Sequence, residues 1–215
     1  ILRYGSLPLT LDLAEVTTLS PTLGQDQLSA GLLAGGIGLF IVAIYLLFYY
    51  RALGVVAGAS LVVAAVISYF AFVILGRQVG FTLTLAGIAG AIVAVGITAD
   101  SFIVYFERIR DEVRDGRSLR SAVETGWTKA RRTIVVADFV SIISAILLYF
   151  FAVGGVRGFA FTLGLTTLID LLVVFAFTKP LTVMLAKLKF FSAGHALSGV
   201  SAKSFGNSSH VIKEA

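Results

Sequence analysis

Gly96-Ile-Thr-Ala-Asp100-Ser-Phe-Ile-Val-Tyr-Phe-Glu107-Arg-Ile-Arg-Asp111 decides the fold class of this chain. An apolar segment runs into it, carries a carboxylate at Asp100, and ends in a block of charge at Glu107. An ionisable residue inside a hydrophobic span is expensive, so it usually faces a bundle interior or an ion path. The surrounding sequence shows that the span is real. Of 215 residues, 58% are hydrophobic and 13% charged, more apolar surface than one soluble core can hide.

Five apolar stretches are separable: 29–50, 52–75, 81–106 with Asp100, 133–153 with Asp138, and 159–177 with Asp170. Each is near the ~20 residues that cross about 30 Å of hydrocarbon. The expected fold is therefore an α-helical polytopic membrane protein with five transmembrane helices. The first two spans meet at Arg51 and form a tight hairpin. Upstream, Leu7, Leu9, Leu11 and Leu13 alternate with Pro8, Thr10 and Asp12, the period of a half-buried strand. Ser20-Pro-Thr-Leu-Gly24 reads as a turn. Residues 1–28 are thus expected to be the extracytoplasmic end of a domain, and 190–215 a flexible cytoplasmic tail. The single methionine is Met184, so Ile1 is expected to be internal to a longer protein.

Lys and Arg set the orientation. The connection 107–132 holds Arg108, Arg110, Arg114, Arg117, Arg120, Lys129, Arg131 and Arg132, and is expected to be cytoplasmic. Alternating the spans puts Arg51, Lys187 and Lys189 on the same side. Within that connection, Leu119, Ala122, Val123, Trp127 and Ala130 share one helical face. They predict an amphipathic helix at the membrane surface, with Ser121 and Glu124 as a capping box and Trp127 in the interface. The other reading is a solvated connection with pairs such as Glu107–Arg110. Small residues at Gly54 and Gly58, and at Ala86, Gly90 and Ala94, suit close helix approach in lipid. Lys179 reads as a snorkelling anchor.

At about 1.5 Å per residue, Asp100 sits about 9 Å inside its span, Asp138 about 7 Å and Asp170 about 10 Å. No Lys or Arg lies deep in any span to pair with them. A carboxylate without a partner in low dielectric favours its protonated form and can release that proton when water arrives. Asp100 is the main proton-relay candidate. Asp170 is a second, or a structural acid bonded to a neighbouring helix. Asp138 is the weakest, since it can also reach back to Arg131 and Arg132. Ser141 and Ser144 beside Asp138, and Thr166 and Thr167 beside Asp170, supply hydroxyls.

Enzyme and metal chemistry find no support. H-E-x-x-H, G-x-S-x-G and P-loop motifs are absent, there is no cysteine, and the two histidines lie in the tail. No cofactor or metal is expected, and no catalytic residue is assigned. Nothing interleaves aromatic and basic residues for nucleic acid.

The order of motifs resembles the SecD/SecF family of Sec-translocon accessory proteins, within the resistance-nodulation-division (RND) superfamily. Leu2-Arg-Tyr-Gly-Ser-Leu-Pro8 and Ser20-Pro-Thr-Leu-Gly24 are similar to the exit of its extracytoplasmic domain. Ala99-Asp100-Ser, Glu107-Arg-Ile-Arg, Gly116-Arg-Ser-Leu and Val156-Arg-Gly-Phe-Ala-Phe-Thr162 are similar to its membrane half. The resemblance covers residues 1 to about 185. It implies spans two to six of a six-span unit in the bacterial cell membrane. It also implies a SecF partner, the SecYEG channel alongside, and preprotein as the moved substrate. It implies proton-motive force as the drive, with Asp100 at the family's intramembrane aspartate. Asp138 and Asp170 rest on the reading of the residues alone. Rival readings are an RND-type exporter of drugs or lipids, and a purely structural translocon subunit.

Overall fold

A computed structural model gives the fold and describes residues 21–187. The leading strand and the tail expected from the sequence lie outside those residues. Apart from short connections, the described chain is helical: α1 (Pro21–Tyr50), α2 (Ala52–Val79), α3 (Leu85–Arg114), α4 (Leu119–Phe151) and α5 (Gly155–Val173). A π-helical turn, Val174–Thr178, then joins α5 to α6 (Lys179–Ala186). Among the described residues, five helical bodies are long and apolar enough to cross a membrane, the last of them running from Gly155 to Ala186.

Arg51 alone connects α1 to α2, at φ 54°. A left-handed residue is what reversing a helix in one step requires, and here a side chain carries that strain. Gly116, at φ 85°, makes the equivalent sharp turn between α3 and α4 with no Cβ to object. Thr84 caps α3, its hydroxyl accepting from the Gly87 N–H at 3.1 Å.

α3 is the central element and packs on α1, α4 and α5. Its inward stripe runs Thr98, Phe102, Tyr105, Ile109 and Glu112, at three- and four-residue steps. The outer faces of α1 and α4 are apolar instead, with Phe40, Phe48, Phe139 and Phe151 fully turned outward. In water this would be a precipitation surface; in a bilayer it is the solvated face.

Several expectations are corrected. Pro21–Gly24 is not a turn before the first span: α1 already begins at Pro21, a position where a missing N–H costs a helix nothing. The stretch 107–132 is not mainly a connection. α3 and α4 run through it, and only residues 115–118 break them. The reason is that the inward stripes continue past the first charges. Gly126 of α4 lies so close to α3 that a Cβ there would sit 3.0 Å from the Ile109 nitrogen. At 33 residues, α4 is about 50 Å long, so it overshoots about 30 Å of hydrocarbon. Trp127 accordingly is not at a lipid interface. It is buried, stacked edge-on against Tyr105 at 5.3 Å and Phe175 at 4.8 Å. The Ser121–Glu124 box is replaced by Ser118, whose hydroxyl accepts from the Ser121 N–H at 3.5 Å.

The last span does not stop before Lys179-Pro180. A proline ring clashes with the carbonyl four residues back and supplies no N–H. The π turn immediately before it widens the helix by one residue per turn, and the axis continues. Thr178 at its end donates to Ser60 Oγ on α2 at 2.9 Å, and Ser60 donates on to the Val56 carbonyl at 2.9 Å. Intramembrane polar contacts of this kind contribute about 0.6 kcal/mol. Ser60→Ala is therefore expected to lower stability by about that amount, since the Thr178 hydroxyl can turn its proton to the Val173 carbonyl instead. Thermal unfolding in detergent measures it; a loss several times larger would mean that the α2 contact holds the π turn open.

Candidate functional site

The three carboxylates do not meet. Asp138 and Asp170 point inward, 0% and 2% exposed. Asp100 points outward and is exposed. Thr98, two residues earlier and about 200° around the helix, faces the interior. Asp100 lies instead on a stripe with Ala89, Val93 and Gly96, the outward face of α3. Nothing stands within 4 Å of where a Gly96 Cβ would be. Asp100 thus lies on an outward face of α3 and not in the interior of this bundle.

The inner pair has a different environment. All four oxygens of Asp138 and Asp170 lack a hydrogen-bond partner among the described residues. The hydroxyls expected to serve them are committed to their own helices. Ser141 donates to the Ala137 carbonyl at 3.1 Å and Ser144 to the Val140 carbonyl at 2.9 Å. Thr166 donates to the Thr162 carbonyl at 2.7 Å, and Thr167 to the Leu163 carbonyl at 2.8 Å. Thr98 lies beside Asp170, but its proton goes to the Ala94 carbonyl at 3.0 Å. Asp138 does not reach back to Arg131 or Arg132, which are exposed.

A polar network closes the charged end of the bundle. Tyr50 donates to Glu107 Oε1 at 2.9 Å, and Arg110 donates to the same oxygen at 3.1 Å and to the Tyr49 carbonyl at 3.1 Å. The Arg110 guanidinium also lies over the Tyr50 ring, 4.8 Å from its centroid. Glu107–Arg110 is thus a real pair, but it ties α3 to the end of α1 rather than floating in a loop. Glu112 is 1% exposed and holds Arg117 at 2.8 Å together with Lys129. Lys179, expected to snorkel, pairs loosely with Glu124 at 3.7 Å. Sequence reasoning missed Tyr50 and Glu112. Continuing the stripe Phe102, Tyr105, Ile109 by one more step would have found Glu112, a carboxylate on a buried face with cations needed around it.

Among the described residues, no group of three or more His, Cys, Asp or Glu could hold a metal ion. Residues 8–188 match the family described as protein export membrane protein SecD/SecF, C-terminal. The chain belongs to the SecD/SecF family.

Relatives and solved structures within the SecD/SecF group agree. Protein translocase subunit SecD of Streptomyces coelicolor is 57% identical over 206 residues, covering 96% of this chain and 36% of its own length. The Mycobacterium tuberculosis subunit of the same name is 54% identical over 187 residues, covering 87% and 33%. The chain spans about a third of the length of these curated relatives. The crystal structure of SecDF from Thermus thermophilus, a translocon-associated membrane protein, superposes with TM-score 0.71 at 34% identity. That match covers 77% of this chain and 23% of the other. SecDF in its super-membrane-facing form gives TM-score 0.67 at 36% identity, covering 86% and 25%. With five apolar helices and these SecD relatives, the chain is a multi-pass membrane protein.

Proposed function

We propose that this chain is the membrane half of a SecD-type subunit of the Sec protein-export machinery. In this reading it pairs with SecF beside the SecYEG channel and uses the proton-motive force to promote preprotein translocation. The match to the export family over residues 8–188 carries the assignment. The outward placement of Asp100 beside Gly96 supports the coupling scheme, because it leaves room for a partner helix at the acid.

The mechanism is a population shift. A proton bound at the Asp100 carboxyl cancels its charge and lets the α3 face pack against lipid-embedded neighbours. Its release restores a charge that demands water or a counter-charge. A proton shifts such an equilibrium only by binding the two packings with different affinity. The drop of one charge through 100 mV supplies about 2.3 kcal/mol. In this reading the arginine-rich stretch 107–132 faces the cytoplasm, the side its positive charge favours.

The test is a translocation assay in inverted membrane vesicles containing the full-length protein and its SecF-type partner. Completion of preprotein transport is expected to speed up when a proton gradient is imposed, and only in vesicles that contain the pair. Equal stimulation in vesicles lacking them would defeat the assignment. Stimulation that survives a proton ionophore would leave a structural subunit instead of a coupled one.

A further inference from the structure

We propose that Asp138 and Asp170 together form a second proton-binding site, enclosed within this chain between α4 and α5 and separate from Asp100. It goes beyond the export reading, since it holds whatever work the subunit drives. Both side chains are at least nine-tenths buried, and none of their four oxygens has a partner among the described residues. They sit on α4 and α5, which pack directly against each other. Two unpaired carboxylates cannot both stay ionised in hydrocarbon, where like charges repel at low dielectric and neither is solvated.

The groups around them offer no substitute for a proton. From α3 the facing side chain is Thr98, whose hydroxyl lies against Asp170 and is shared with the Ala94 carbonyl. Asp100 points the other way, and Tyr105, Glu107, Arg108 and Arg110 follow one to three turns further along. On α2 the charges are Arg51 and Arg77, both at the helix ends, and Tyr69 is exposed. On α4, Arg131 and Arg132 are exposed about 9 Å before Asp138, and Tyr149 lies three turns beyond it. α5 has Arg157 near its start, over the Tyr149 ring. α6 has Lys179, turned to Glu124. Buried acids with no cation beside them and no more than one shared hydroxyl are satisfied by protons.

Infrared spectroscopy of the full-length protein in lipid tests this through the carbonyl stretch of protonated carboxyl groups. At neutral pH the wild type is expected to show that absorption, and Asp100→Asn to retain it. Asp138→Asn and Asp170→Asn should each remove part of it, and the double variant this component entirely. On raising the pH, the wild-type absorption should disappear in two steps and each single variant's in one. Thermal unfolding in detergent checks that each variant is folded. Should a variant fail to fold, carbodiimide labelling of the wild type followed by peptide mass analysis replaces it, with modification expected at Asp138 or Asp170. Absence of the absorption in wild type, its survival in the double variant, a one-step wild-type titration, or labelling confined to Asp100 would each overturn the proposal.

Discussion

Asp100→Asn is expected to abolish the gradient-dependent part of preprotein export while leaving the protein assembled. Asparagine keeps the size and polarity of the side chain but cannot exchange a proton. The loss is large because the whole coupling step runs through that exchange: 2.3 kcal/mol per proton and 100 mV corresponds to about a fifty-fold bias. Stability should change by no more than about 0.5 kcal/mol, because Asp100 is exposed on the bundle and bonds nothing within it. Asp100→Glu keeps the titrating group and should restore part of the stimulation. Transport by the asparagine variant that still responds fully to an imposed gradient would remove Asp100 from the mechanism. A variant that loses gradient response and unfolds together would point to a structural acid.

Gly90→Val is expected to be strongly damaging in the membrane region. A Cβ at Gly90 would stand 2.7 Å from the Phe159 carbonyl oxygen and 3.3 Å from the Phe159 ring, and would strike the Thr162 hydroxyl as well. The carbonyl belongs to the backbone of α5 and cannot rotate away, so α3 and α5 must separate. Thr162 donates to the Gly87 carbonyl at 2.8 Å across that contact, and the bond would be lost with it. Overpacking costs about 1–3 kcal/mol where side chains can yield, and here they cannot. Unfolding followed in detergent should show a loss at or above that range. Gly96→Val, with open space at its Cβ, is the control and should leave the isolated subunit unchanged. If partner helices dock on the Asp100 face, that same control should weaken co-purification with the SecF-type partner. Equal stability of the Gly90 and Gly96 variants would refute the α3–α5 contact.

The five spans were legible because hydrocarbon imposes a length and a composition that any sequence must display. The family was legible too, since its motifs fall in order along the chain. Helix ends were less so. Charges at Glu107 look like the end of a span, yet α3 continues to Arg114 because Ile109 and Glu112 keep to its buried stripe. Pro180 looks like a stop, yet the π turn carries the axis past it.

The sequence by itself determined that carboxylates lie inside the membrane in three spans, because a one-dimensional pattern records depth. Only the tertiary structure decided which way each one faces. Direction depends on how α3, α4 and α5 rotate against one another, and that rotation is set by contacts such as Gly90 on Phe159 and Gly126 on Ile109, far apart in the chain. The packing left Asp100 on the outside and enclosed Asp138 with Asp170.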